Sequence, residues 1–413
     1  MSSCSHDSHA SVTRAGPLSP PHGEHKNGVH AGPCSPHTDY TMAPSLDVLQ
    51  PQSAFEKVEP SAAVEKPQTS WIAPREPLRV SGLLDSLYEF EELTPALGRL
   101  YPKVQLREII HHEKADELLR DLAIIISRRG VVFFKSQELS PEEQKFFTDR
   151  LGHLTGKPPS SGLHIHPSFN ADREVYLADG QRNRDNEISV IDSEVFNQLE
   201  IGPRSGADEW HSDISFEKVP ADYTSLKVHT MPPTGGDTLW ASGYEVYDLL
   251  SPHFQAMADS LVGKFASPEF TLSALRYGYK INTGPRGAAD NVGEDLSAEH
   301  PFVRTNPVTG WKSVFGVGHH FSGIKDLKPN ESDLIRKYVL DLVTQNHTTQ
   351  LRYRWGKNDL AVWDNRSTYH AATPDYQGLG PRSGVRAVSC GERPYFDPNS
   401  RSRRAELGNS RLI

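Results

Sequence analysis

From about Leu163 onward the sequence breaks into short β-type runs, which restricts the chain to folds built on sheets. The runs are Glu174–Ala178, Ile188–Ile191, Ser225–Met231, Leu261–Ala266, Pro301–Arg304, Ser313–Val317, Leu351–Trp355, Leu360–Trp363 and Val385–Ser389. They are short, apolar or alternating, and bounded by turn residues, as strands are. Asn306-Pro307-Val308-Thr309-Gly310 has hairpin chemistry between two of them. Helical spacing comes first. Glu113–Ser127 carries Leu118, Leu119, Leu122 and Ile125 and ends at Gly130. Val131–Phe134 then reads as a buried strand, and Ser140-Pro141-Glu142-Glu143 supplies a cap, a first-turn proline and a capping box. Two helical insertions, Tyr244–Ser260 and Ser332–Gln345, interrupt the strands. No internal repeat is present. Helices followed by many antiparallel strands predict an α+β fold, with a double-sheet jelly-roll core (a double-stranded β-helix) and flanking and inserted helices.

The boundaries follow from composition. Residues 1–76 are rich in Pro, Ser and His with few clustered apolar side chains, so they read as a disordered tail. Six of the 19 histidines (His6, His9, His22, His25, His30, His37) fall there, and a solvated tail is favoured over a metal-binding tract. The folded domain is expected over 77–397, with 398–413 a polar, basic C-terminal tail around Arg401-Ser402-Arg403-Arg404. The net charge of −9 argues against nucleic-acid binding and against a polybasic membrane anchor. No window is long and apolar enough for a membrane span, and the N-terminus has no apolar signal region. Three cysteines (Cys4, Cys34, Cys390) form no disulfide framework, so the chain reads as cytoplasmic.

Trp210-His211-Ser212-Asp213 is the first chemically pointed stretch. On a strand, residues two apart share a face, so His211 and Asp213 could project together. With a distant second histidine they would make the 2-His-1-carboxylate set that holds non-haem Fe(II) and leaves coordination positions open. Alone the pattern is weak, since His37-Thr38-Asp39 matches it within the tail. Downstream, Trp363-Asp364-Asn365-Arg366-Ser367-Thr368-Tyr369-His370 follows a strand, which puts His370 in or just beyond a loop. Arg382 and Arg386 come next, four apart. An inward pair of arginines is costly unless it meets anions, and the bland alternative is a surface pair beside a Gly-rich loop.

Together these segments resemble the taurine dioxygenase group of Fe(II)/2-oxoglutarate-dependent oxygenases, notably its fungal alkylsulfonate members. The resemblance is carried by Leu163-His164-Ile165-His166-Pro167, Trp210–Phe216, Gly235–Gly243, Trp363–His370, Asp375-Tyr376 and the Arg382/Arg386 pair, in order over about Gly82 to Phe396. It implies that His211, Asp213 and His370 hold Fe(II), that Thr238 and Arg382 bind the distal carboxylate of 2-oxoglutarate, and that His166 and Arg386 grip a substrate sulfonate. It also implies that Phe169 and Trp240 wall the pocket, whereas His164 and Trp210 read as packing. The implied reaction consumes 2-oxoglutarate and O2, hydroxylates the carbon beside the sulfonate of taurine or a related alkylsulfonate, and releases sulfite, an aldehyde, succinate and CO2. The implied partners are a small anion and further copies of the chain.

The sequence departs from the family pattern in a polar insertion, Asp179 to Ala207, where Ala207 stands at a position often occupied by asparagine. The spacing from His370 to Arg386 is one residue longer than in bacterial members. The same chemistry on an aryloxyacetate, a sulfate ester or a purine stays open. So do a zinc hydrolase, since zinc accepts these ligands, and a binding module with a vestigial metal site.

Overall fold

Helix Ala115–Arg129 shows how local sequence builds the first layer. Asp116 and Glu117 occupy its first turn and Arg128 and Arg129 its last, each favourable with the helix dipole. Leu118, Leu119, Leu122, Ile125 and Ile126 are buried along one side. Gly130, at φ 75°, ends the helix where a side chain would strain the backbone. In helix Pro141–Leu154 the expected cap is complete: Glu143 N donates to Ser140 Oγ, and Ser140 N donates to the Glu143 carboxylate.

A computed structural model of the chain describes residues 76–168, 185–193, 206–207 and 209–408. The expected strand Glu174–Ala178, Phe169, most of the Asp179–Ala207 insertion and the N-terminal stretch up to Arg75 lie outside them. In chain order the strands are β1 (Glu91–Glu92), β2 (Arg99–Tyr101), β3 (Val131–Phe134), β4 (Ile188–Asp192) and β5 (Ala221–Thr230). Then come β6 (Thr238–Ser242), β7 (Val262–Ala266), β8 (Ser297–Pro301), β9 (Val303–Thr305) and β10 (Lys312–Val314). The series ends with β11 (Phe321–Ile324), β12 (Gln350–Tyr353), β13 (Asp359–Asp364), β14 (Thr368–Ala372) and β15 (Ser383–Cys390).

Among the described residues these make a seven-stranded sheet, β1-β2-β3-β13-β5-β15-β4, and a three-stranded sheet, β12-β6-β14. A second three-stranded sheet, β11-β7-β8, and the β9–β10 hairpin complete the set. Strand alternation separates two cores. Val132, Phe134, Leu360 and Val362 face the helices Ala115–Arg129 and Pro141–Leu154. Val131, Phe133, Leu226, Val228, Ala361 and Trp363 face the other way, onto Trp240, Tyr353 and Trp355 of the β12-β6-β14 region. The chain is thus a mixed helix-and-sheet protein with helices on one face of the large sheet and a smaller sheet on the other.

Several boundaries differ from expectation for identifiable reasons. The single helix expected over Tyr244–Ser260 is two, Gly243–Leu249 and Pro252–Ala258, because Ser251 caps a new helix and Pro252 cannot continue the old one. His370 lies within β14, paired to Trp240 on β6, rather than in a loop. Helix Pro268–Tyr277, unforeseen in the sequence, follows β7 directly.

Within the expected C-terminal tail, residues 398–408 are described and part of them packs on the domain. Arg403–Leu407 is a short helix, and Arg403 is buried with its Nη1 donating to Glu245 Oε1 at 2.9 Å. The basic residues that read as solvated are here an anchor. Arg403→Ala removes this charge partner of the buried Glu245 and should cost about 3 kcal/mol in urea unfolding. A loss under about 1 kcal/mol would show that the ion pair does not anchor this end.

Candidate metal centre

Backbone pairing, rather than strand alternation, brings the first two histidines together. His211 N donates to His370 O at 3.0 Å and His370 N to His211 O at 2.9 Å, forming an isolated antiparallel bridge. The two rings lie 4.2 Å apart. Gly318, at φ 93°, packs on the Trp210–His211 backbone, where a Cβ would overlap the Trp210 carbonyl. Asp213 follows in a turn, not a strand, with Ile214 at φ 46°. Its backbone N donates to Asn365 Oδ1 at 3.0 Å. Asn365 in turn donates through Nδ2 to Thr224 Oγ1 at 2.8 Å and accepts from Trp363 Nε1 at 3.0 Å. Asn365 therefore aims the turn that carries Asp213, a role the motif contained without revealing.

His211, Asp213 and His370 each offer a ligand atom, all within 4.8 Å of one another. His211 Nδ1–H donates to the Glu209 carbonyl at 2.8 Å, which leaves Nε2 with its lone pair, as a metal-binding imidazole requires. The Asp213 Oδ2 and His370 Nδ1 atoms are buried without a hydrogen-bond partner, a costly state that a bound cation relieves at the carboxylate. This donor set, two imidazoles and one carboxylate, fits a divalent iron ion.

Electrostatics favours the ligand-competent forms. Burial, reinforced by its imidazole neighbour His370, pulls His211 down to about 3. Burial likewise pulls His370 down to about 4, although Asp213 opposes it. Burial alone would raise Asp213, but Arg386, His370 and His211 hold it at about 2. Because both histidine values are depressed, protons compete for the imidazoles only as pH falls toward 4. Co(II) affinity, read by absorption against a His211→Ala/His370→Ala blank, should change less than about threefold between pH 7.5 and 5.5. Two unperturbed imidazoles would lose about 100-fold over that range, and such a loss would contradict the assignment.

Around this cluster lies a cavity of about 620 Å³, walled by both principal sheets and by helix Pro268–Tyr277. Thr238, Arg382, His166 and Arg386 all line it. Arg382 is buried, yet its hydrogen bonds go to neutral groups: Nε donates to Gly236 O at 2.8 Å and Nη2 to Thr238 Oγ1 at 3.4 Å. Among the described residues no carboxylate pairs with it, and burial lowers its pKa. A cation so placed suits an incoming anion. Arg386 Nη1 donates to Asp213 Oδ1 at 2.8 Å, while its buried Nε has no partner. His166 Nδ1 accepts from Ser168 N at 3.2 Å, which places the ring proton on Nε2.

Trp240 does not wall the cavity. It is fully buried at 5.9 Å from the Trp363 ring, and Trp363, 4.8 Å from His370, is the tryptophan that lines it. His164 and Trp210 are packing residues as expected. His164 Nε2 lies 3.1 Å from Glu217 Oε1, a carboxylate that also takes Arg286, and Trp210 joins the core beneath β14. Reading the sequence also missed a second metal-capable group, Glu269, His319 and His320, whose His319 ring is 4.7 Å from His211. Adjacent histidines in a Gly-rich turn were its only signal.

The comparisons agree with this architecture. The profile described as "Taurine catabolism dioxygenase TauD, TfdA family" matches residues 89–388, and the chain belongs to that family. It is an α-ketoglutarate-dependent (that is, 2-oxoglutarate-dependent) dioxygenase, of a family that uses Fe(II), 2-oxoglutarate and O2. It is 42% identical over 350 residues to the alpha-ketoglutarate-dependent dioxygenase btcD of Neocamarosporium betae, covering 80% of this chain and 98% of the relative. A putative alpha-ketoglutarate-dependent sulfonate dioxygenase of Schizosaccharomyces pombe is 32% identical over 330 residues, covering 80% and 76%. The crystal structure of a putative alpha-ketoglutarate-dependent taurine dioxygenase from Burkholderia xenovorans superposes with a TM-score of 0.57 at 23% identity, covering 76% of this chain and 92% of that one.

Proposed function

We propose that this enzyme hydroxylates the carbon beside the sulfonate of an alkylsulfonate, and that His211, Asp213 and His370 hold its iron. Thr238 and Arg382 bind the distal carboxylate of 2-oxoglutarate, and His166 with Arg386 binds the substrate anion. The facing sheets on either side of the cavity then correspond to a jelly-roll core. The observation that carries the reading is the convergence, in one cavity, of a partnerless Asp213 Oδ2 and a buried Arg382 bonded to neutral groups.

Held by His211, Asp213 and His370, Fe(II) would supply the chemistry by which O2 oxidises both substrates, 2-oxoglutarate leaving as succinate and CO2. The chain's own residues select and orient. Arg382 matches a carboxylate with its planar fork. The Nε2–H of His166 and the remaining donors of Arg386 line the same cavity and would hold a permanently ionised group, fixing how the rest of the substrate is oriented. Trp363 and the buried sheet interior keep bulk water from the reacting carbon. The hydroxylated product then loses sulfite to leave an aldehyde. A relative described as a putative alpha-ketoglutarate-dependent sulfonate dioxygenase supports this substrate.

Full-length protein given Fe(II), 2-oxoglutarate and O2 should release sulfite and succinate in a 1:1 ratio with a simple alkylsulfonate. Succinate without sulfite would keep the dioxygenase and overturn the sulfonate, directing attention to sulfate esters, aryloxyacetates or purines.

A further inference from the structure

The cavity is larger than a small sulfonate needs. At about 20 Å³ per non-hydrogen atom, 2-oxoglutarate and taurine together fill roughly 340 Å³ at interior packing density. The cavity holds about 620 Å³. Its remaining wall is rich in apolar groups, with Ile214, Phe216, Phe270, Leu272 and Tyr277 all lining it. The Phe270 ring packs edge-on at 4.9 Å from His166 and at 5.6 Å from Phe216, so the apolar wall starts beside one anion-binding residue.

Helix Pro268–Tyr277 extends that wall. Phe270, Ser273 and Tyr277 recur at helical spacing on the cavity side. Of its ten residues only Ala274 is buried, and Leu272 is 64% exposed although it lines the cavity. A short helix that buries so little of its own apolar surface gains stability when something covers that surface. The opening lies in continuity with the metal cluster, so the cover that fits is part of the reacting molecule.

We infer that the Phe216–Phe270–Leu272–Tyr277 wall is a subsite for a hydrophobic arm on the same molecule whose anion meets His166 and Arg386. The preferred substrate is then an amphipathic anion with an arm of on the order of ten carbons, for which the surplus volume has room. This rests on the anion-binding reading given above. Against the Phe216, Phe270 and Leu272 side chains an ammonium group loses hydration, the carboxylates that line the cavity being Glu209 and Glu269. Each methylene placed there gains affinity instead, by about three- to fourfold.

The test crosses chain length with head group. Unbranched alkyl sulfonates, sulfates and carboxylates of two to ten carbons are given to the iron-loaded full-length enzyme, with succinate and sulfite both measured. The inference predicts that kcat/KM for succinate formation rises by at least about 100-fold from two to eight carbons for whichever head group is accepted. Leu272→Ser and Phe270→Ala, with folding checked by circular dichroism and melting, should flatten that slope. A flat or falling dependence on length overturns the arm subsite, and so does an undiminished slope in both variants. A rising slope confined to sulfates or carboxylates keeps the arm and overturns the sulfonate. Absence of acceleration by every compound overturns the arm subsite outright.

Discussion

His370→Ala should lower succinate formation on the order of 10³-fold, equivalent to about 4 kcal/mol of barrier, while leaving the protein folded. The reason lies in what each ligand does without metal. His370 is held neutral by burial, and its Nδ1 has no hydrogen-bond partner to lose. Its backbone bridge to His211 survives the substitution. Asp213 is a poorer first test, because Asp213→Ala leaves Arg386 without its carboxylate and adds a stability loss of about 3 kcal/mol. The pair of variants therefore separates chemistry from folding. His370→Ala should melt close to wild type and lose metal-dependent turnover, whereas Asp213→Ala should lose both. Turnover within tenfold of wild type in His370→Ala would remove it from the metal set.

The second large effect concerns Arg382. Arg382→Ala should raise the KM for 2-oxoglutarate by about 100-fold, the loss expected when a desolvated charge-assisted contact is truncated. Stability should respond in the opposite way from most buried-charge deletions. Among the described residues Arg382 hydrogen-bonds through its side chain to neutral groups, so its removal relieves a desolvation cost that offsets the hydrogen bonds lost to Gly236 and Thr238. Ligand-free protein should thus melt within a few degrees of wild type, while the melting shift induced by 2-oxoglutarate disappears. Arg382→Lys keeps the charge but not the fork, and should recover only part of the affinity. A variant that still melts higher with 2-oxoglutarate, to the wild-type extent, would show that the distal carboxylate binds elsewhere.

The site was more legible in the sequence than its geometry. His211, Asp213 and His370 could be singled out because residue type and order carry the chemistry. His211 and Asp213 do not share a strand face: the first sits in an isolated bridge and the second in a turn, and both still meet at one cluster with His370. The cause is long-range: a bridge across 159 residues and an asparagine at 365 position them, and neither leaves a local signal. Trp240 shows the complementary failure. Its place in β6 fixes which residue it opposes, but whether it meets cavity or core depends on Trp363, which arrives from the other sheet.

Helical elements divided along similar lines. Ala115–Arg129 was readable because its period, charges and terminal glycine all agree. Pro268–Tyr277 was not, since only one of its residues is buried and its apolar side chains serve the cavity instead of a core face. The Ser251-Pro252 break carried the same capping signal as Ser140-Pro141, yet apolar residues running through it concealed it. At the C-terminus, composition misled: Arg403 is basic and buried because Glu245 waits for it.

In the proposed enzyme iron and 2-oxoglutarate meet at the cluster formed by His211, Asp213 and His370, with Arg382 at the far carboxylate. An anaerobic crystal structure of the full-length protein with Fe(II) and 2-oxoglutarate, phased to locate iron by its anomalous signal, tests this most directly. A single iron peak bonded to those three side chains is expected, with the distal carboxylate of 2-oxoglutarate on Arg382 and Thr238. Iron held instead by Glu269, His319 and His320, or 2-oxoglutarate turned away from Arg382, would contradict it.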